Sequence, residues 1–131
     1  MSRIEEAKEF FAMDRYAMKT TGIEIEAAEE GYAKCSVKID DRHRGAHGQI
    51  MGGVMYTLAD FTFAVATNTK DKFTATCTST INYLSMAKDD MLIAECKSVK
   101  EGRRTVYYET FITDGLENLV AVVTTTGIHM N

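Results

Sequence analysis

The chain has 131 residues, 45% of them apolar and 26% charged, with a formal net charge of −4. That length suits one domain with one hydrophobic core. The acidic balance excludes a general nucleic-acid binder, which needs a basic face to displace counterions. No apolar run reaches the roughly 20 residues of a membrane span, and the start Met1-Ser2-Arg3-Ile4-Glu5-Glu6 does not read as a signal peptide. Cys35, Cys77 and Cys96 are odd in number and contain no CxxC pair, so they read as reduced, buried thiols of a cytoplasmic protein.

Ser2 with Glu5 three residues on makes a capping box, and predicts a helix through about Met18. Its apolar stripe is Ile4, Ala7, Phe10, Phe11 and Tyr16 or Ala17, and Thr21-Gly22 ends it. Two strands follow, Ile23 to Ala28 and Tyr32 to Ile39, joined by Glu29-Glu30-Gly31. In the second, Ala33, Cys35, Val37 and Ile39 alternate with Lys34, Ser36 and Lys38, as in a sheet buried on one face. Residues 40–50 are polar and aperiodic, and read as a loop. A long apolar helix comes next. After it, Phe73 to Leu84, Met91 to Lys100, Arg104 to Thr113 and Leu119 to Met130 are rich in branched and aromatic strand formers. Lys88-Asp89-Asp90, Glu101-Gly102 and Asp114-Gly115 punctuate them as turns. The order of elements predicts an α+β fold in which an antiparallel sheet covers one apolar helix.

The long helix holds the chemistry. Gly52-Gly53 opens it, and from Gly53 to Ala66 the only formal charge is Asp60. A carboxylate on an apolar helix loses several kcal/mol of hydration unless something compensates. Such a residue caps, pairs or reacts; pairing with Arg44 or the backbone is the structural alternative. The amide of Gly53, at a helix N-terminus, suits an oxygen on which negative charge develops, and the missing side chain admits a close approach. Seven residues of helix put Gly53 and Asp60 about 10 Å apart along the axis. A group held by one therefore meets the Asp60 of a second subunit.

This order, with Met51-Gly52-Gly53 followed by Thr57-Leu58-Ala59-Asp60, resembles the hotdog-fold acyl-CoA thioesterases, in particular the PaaI-like (phenylacetic acid degradation) branch. Asn82-Tyr83-Leu84-Ser85 and Glu101-Gly102-Arg103-Arg104-Thr105 extend the resemblance over nearly the whole chain. It implies a sheet wrapped around the central helix, a homodimer that completes the site, and pairing of dimers into a homotetramer. It further implies hydrolysis of an acyl-CoA thioester, with no cofactor because coenzyme A is part of the substrate. Asp60 would act on water, as base or as nucleophile, and Gly53 would hold the thioester oxygen. The substrate-binding positions implied are His47, Met51, Gly52, Thr76, Asn82 and Ser85, with Arg103 and Arg104 on the phosphates. The family's motif histidine falls on Met51, its loop asparagine on Gly45 and a later proline on Met86. These replacements keep open a non-catalytic acyl-CoA binding protein or sensor, and His47 with Asp60 keeps open a hydratase. His43 and His129 match no motif and read as solvated or structural; HxH and HExxH spacings are absent, so no metal site is expected.

Overall fold

The structure, a computed structural model, describes all residues from Met1 to Asn131. Six antiparallel strands form one sheet: β1 (Ile23–Glu29), β2 (Tyr32–Lys38), β3 (Thr74–Tyr83), β4 (Met91–Glu101), β5 (Thr105–Asp114) and β6 (Leu119–His129). They lie side by side in the order β1-β2-β4-β5-β6-β3. Helix α1 spans Arg3–Phe10, and helix α2, Gly52–Thr67, lies against the concave face of the sheet. The hotdog architecture, α+β with a sheet around one central helix, is the one observed, and the strand ends fall within a residue of the sequence reading.

Small residues let the sheet close on the helix. Ala33, Cys35, Ala94, Cys96 and Ala121 are fully buried, and Leu58, Phe63 and Val65 of α2 fill the space above the sheet. The Phe63 ring meets Tyr108 edge-on at 5.2 Å. Gly127 of β6 is required there, because a Cβ would lie 2.8 Å from the Phe63 ring. Burying side chains of this size contributes about 2 kcal/mol each. Burial also pushes the Cys35 and Cys96 thiols up to about 12, so both are inert packing groups.

Three sequence expectations change. Cys77 is exposed, not buried: it is the extra residue of a bulge, between Thr76 opposite Gly127 and Thr78 opposite Thr126. The first helix does not run to Met18; α1 stops at Phe10, a tight turn spans Phe11–Met13, and a widened turn spans Tyr16–Thr21. Phe11 and Ala17, both buried, are six residues apart, which on a straight helix would set them about 120° apart around the axis. A break at Asp14, which leaves the helical region (φ −81, ψ 78), lets both reach the core. Phe10 and Tyr16, expected in the apolar stripe, are exposed.

The two sheet edges differ. β1 carries the exposed acids Glu24, Glu26 and Glu29, has a bulge after Ile25, and is flanked by α1. β3, Thr-Ala-Thr-Cys-Thr-Ser-Thr-Ile-Asn-Tyr, carries no charge and has one side open. Charges and bulges protect a sheet edge, and an uncharged open edge invites another strand. At the far end of the sheet, burial raises the Asp114 carboxyl. The N–H groups of Lys88, Asn118 and Leu116 and the Asn118 side chain outweigh that effect and hold it at about 2. This one carboxylate fixes both the β5–β6 turn and the segment leading into β4.

Candidate active site at the N-terminus and exposed stripe of helix α2

Helix α2 is apolar on nearly every side. Its three threonines hide their hydroxyls by donating to the carbonyl four residues back: Thr57 to Gly53 at 2.8 Å, Thr62 to Leu58 at 2.6 Å and Thr67 to Phe63 at 2.7 Å. Asp60 has no such solution. It makes no hydrogen bond or ion pair in its chain, and Arg44, its alternative partner, binds Asp90 at 2.6 Å and the Gly48 carbonyl at 2.9 Å. Crowding by protein atoms raises the Asp60 carboxyl above the ordinary value, and the nearby carboxylate of Asp14 adds to that rise. Asp14 is brought there by the Phe11 ring, which packs edge-on against Phe61 at 5.3 Å.

Gly53, Tyr56 and Asp60 are the exposed residues of the helix body. Spaced by three and four, they form one stripe while the rest of α2 packs inward. At the head of the stripe the helix is uncapped: Met51 occupies the N-cap position, 46% exposed, with no side-chain hydrogen bond. The amides of Gly52 and Gly53 consequently have no acceptor in the chain.

The two glycines answer different demands. A Cβ on Gly52 would lie 2.9 Å from the Tyr83 ring, whose hydroxyl donates to the Gly52 carbonyl at 3.0 Å. A Cβ on Gly53 would meet nothing within 4 Å, and its φ is not positive. Nothing in its own chain requires glycine at 53, and the space beside its Cα is open.

The remaining sequence candidates scatter. Asn82 is exposed at the end of β3, next to Tyr83 and so near Gly52. Ser85 uses its hydroxyl on the Leu119 carbonyl at 2.8 Å, clamping the end of β3 to β6. Thr76 is exposed on β3, paired with Gly127 before the bulge. His47 lines a cavity of about 340 Å³ together with Arg44, Gln49, Met55, Met86 and Lys88. Met55 is on the opposite side of α2 from Asp60, so this cavity lies off the stripe. The space a side chain at Gly45 would take is filled by the Gln49 amide nitrogen (2.5 Å from a Cβ there) and the Met51 sulfur (2.8 Å), so the loop keeps a carboxamide.

Arg103 and Arg104 are exposed, with no side-chain partner, in the β4–β5 turn. His129 donates its N–H to the Arg104 carbonyl at 2.8 Å and pairs with Thr74, the start of β3. The arginines thus sit a full strand, about 30 Å, from Tyr83 and Gly52 of the same chain. His43 and His129 are structural: His43 is buried between the Asp40 amide and the Thr21 carbonyl, and His129 bridges Thr74 and Glu101.

Tyr83 and Asp14 are the residues that reading the sequence missed as site components. Tyr83 is 31 residues from Gly52, and only the fold brings them together. An aromatic one residue before the Leu84-Ser85 pair was the available signal. Asp14 gave none.

With a six-stranded sheet around a glycine-headed helix, the chain belongs to the thioesterase superfamily, whose family model matches residues 47–121. It is 27% identical over 129 residues to a protein of Archaeoglobus fulgidus named as a candidate esterase, covering 98% of this chain and 84% of that one. It is 28% identical over 105 residues to the acyl-coenzyme A thioesterase PaaI of Escherichia coli, covering 79% and 75%. The solved structure of E. coli PaaI, from the phenylacetic acid degradation operon, superposes with a TM-score of 0.86 at 24% identity, over 99% of this chain and 97% of that one. A hypothetical thioesterase protein of Streptococcus pneumoniae, solved with coenzyme A, gives 0.83 at 23% identity, over 92% and 97%. The chain is thus a PaaI-like hotdog thioesterase by family and fold.

Proposed function

We propose that this protein hydrolyses an acyl-CoA thioester to the free acid and coenzyme A, at a site shared by two copies of the chain. The observation that carries the reading is the exposed stripe of α2, with an unused amide at Gly53 and an unpaired carboxylate at Asp60. The Gly53 amide donates to the thioester carbonyl oxygen and steadies the charge that grows on it as the carbonyl carbon becomes tetrahedral. Asp60 of the second copy takes the proton of the attacking water, and a raised carboxyl is a better base than an ordinary one. The tetrahedral centre then expels the coenzyme A thiolate, which takes up a proton, and leaves the carboxylic acid.

The uncharged edge of β3 supports the pairing. Two β3 strands joined antiparallel about a two-fold axis continue the sheet and lay each Asp60 near the other chain's Gly53. The same axis carries Arg103 and Arg104 of one copy toward Gly52-Gly53 of the other, where guanidinium groups suit the coenzyme's phosphates. Coenzyme A in the S. pneumoniae neighbour agrees with that ligand. Tyr107, Phe111 and Leu119, exposed apolar groups of β5 and β6, support pairing of dimers into a homotetramer. Free thiols, one of them exposed, fit a reducing compartment, the cytoplasm.

A panel of aromatic, short-chain and medium-chain acyl-CoAs, read by free-thiol release, tests the reaction. We expect turnover in the wild type and a loss of about 100-fold or more in kcat for Asp60→Asn. Binding without thiol release would make the protein a sensor, and hydration of an enoyl-CoA would make it a hydratase; either result overturns the reading.

A further inference from the structure

We infer that Tyr83 is a positioning residue for the Gly53 amide, holding the first turn of α2 from its carbonyl side so that the amide side stays free. This rests on the reading of Gly53 as the group that holds the thioester oxygen.

A helix start is ordinarily fixed by an N-cap Ser, Thr, Asp or Asn, whose oxygen accepts the N–H of the second or third helical residue. Here Met51 is the N-cap, Gly52 the first residue, Gly53 the second and Val54 the third. A conventional cap would therefore occupy the Gly53 amide or its neighbour. Met51 makes no cap bond, and the Val54 amide reaches back to the Met51 carbonyl at 3.0 Å. The turn thus begins with two glycines, the least constrained residues available, and without the usual anchor.

Tyr83 supplies an anchor of a different kind. Its hydroxyl donates to the Gly52 carbonyl at 3.0 Å, and its ring covers the Cα of Gly52 so closely that a methyl there would lie 2.9 Å from it. The backbone that carries the ring is itself held. Tyr83 pairs with Ala121, the Leu84 and Ser85 amides both reach the Val120 carbonyl, and the Ser85 hydroxyl takes the Leu119 carbonyl. The last residue of the open-edged strand is therefore pinned to β6 and pressed on the head of α2. Glycine at 52 makes room for this contact, which accounts for it separately from Gly53.

The test combines Tyr83→Phe, Tyr83→Ala, Gly52→Ala and the double variant Gly52→Ala/Tyr83→Ala, with kcat and KM from thiol release and the Gly53 amide line from ¹H–¹⁵N NMR. Tyr83→Phe should lower kcat about tenfold with KM little changed, because the amide is misplaced while substrate contacts remain. Gly52→Ala should cost a similar factor in the wild-type background and less than about twofold once Tyr83 is alanine. The Gly53 amide line should move or broaden in each single variant. An unmoved Gly53 line in Tyr83→Phe and Tyr83→Ala overturns the inference, as does an equal cost of Gly52→Ala in both backgrounds. If the wild type releases no thiol, the proposed reaction fails while the Gly53 line still decides the role of Tyr83.

Discussion

Asp60 and the threonines around it show what the helix tolerates. Each threonine neutralises its polar group by donating to the helix backbone, and Asp60, whose carboxylate has no proton to donate to a carbonyl, remains unpaired. Its importance was legible in the sequence, since a single charge in an apolar run is an energetic anomaly wherever the fold puts it. The approach of Asp14 was not, because it depends on the break after α1 and on the Phe11–Phe61 contact. Folding favours the protonated form of a raised carboxyl. The contribution of Asp60 to stability is therefore full at low pH and falls as pH rises through its folded pKa. Asp60→Asn removes that burden, so its thermal midpoint at neutral pH should equal or exceed the wild type's while activity is lost. The acid limb of the kcat–pH profile should lie above the ordinary aspartate value of about 3.9. Asp14→Asn removes a charge that opposes ionisation of Asp60, so the limb should move to lower pH; a limb that stays in place excludes the coupling.

Among the elements, β3 matters most to the proposal. Its existence, like that of the other strands, was readable from threonine, isoleucine and tyrosine content, and the inward alternation of β2 predicted which residues meet the helix. Less was readable where packing overrides local pattern. The apolar spacing from Ile4 to Ala17 contains no proline to announce the break at Asp14, and nothing in the threonine-rich run announces the bulge that exposes Cys77. The open edge of β3 could be known only once the strand order was. Thr78 and Thr80 are exposed on that edge strand, so glutamate at both positions would set like charges on facing strands of a pair. Thr78→Glu/Thr80→Glu should sediment as a monomer, keep its circular dichroism spectrum and lose at least about tenfold in activity. A fully active monomer would separate catalysis from β3 pairing.

At the scale of the whole molecule, one chain holds every proposed group and cannot bring them together. Gly53 and Asp60 lie along the helix, the arginines lie a strand's length from the glycines, and the face that carries Tyr56 and Asp60 is open. The sequence conveyed the first of these facts through helix rise alone, and the fold supplied the second through the strand order. A shared site makes a direct demand on mixed dimers. Gly53→Val, whose side chain enters open space in its own chain, damages only the site its amide serves; Asp60→Asn damages only the site its carboxylate serves. Each heterodimer of the two would hold one intact site and one doubly damaged site. The decisive measurement is thiol release from an acyl-CoA after the two inactive variants are unfolded, mixed in equal amounts and refolded together. Recovery to about one quarter of wild-type activity is expected of a shared site, since half the dimers are mixed and each has one working site. Activity no higher than that of the two variants refolded separately would contradict a site shared between chains.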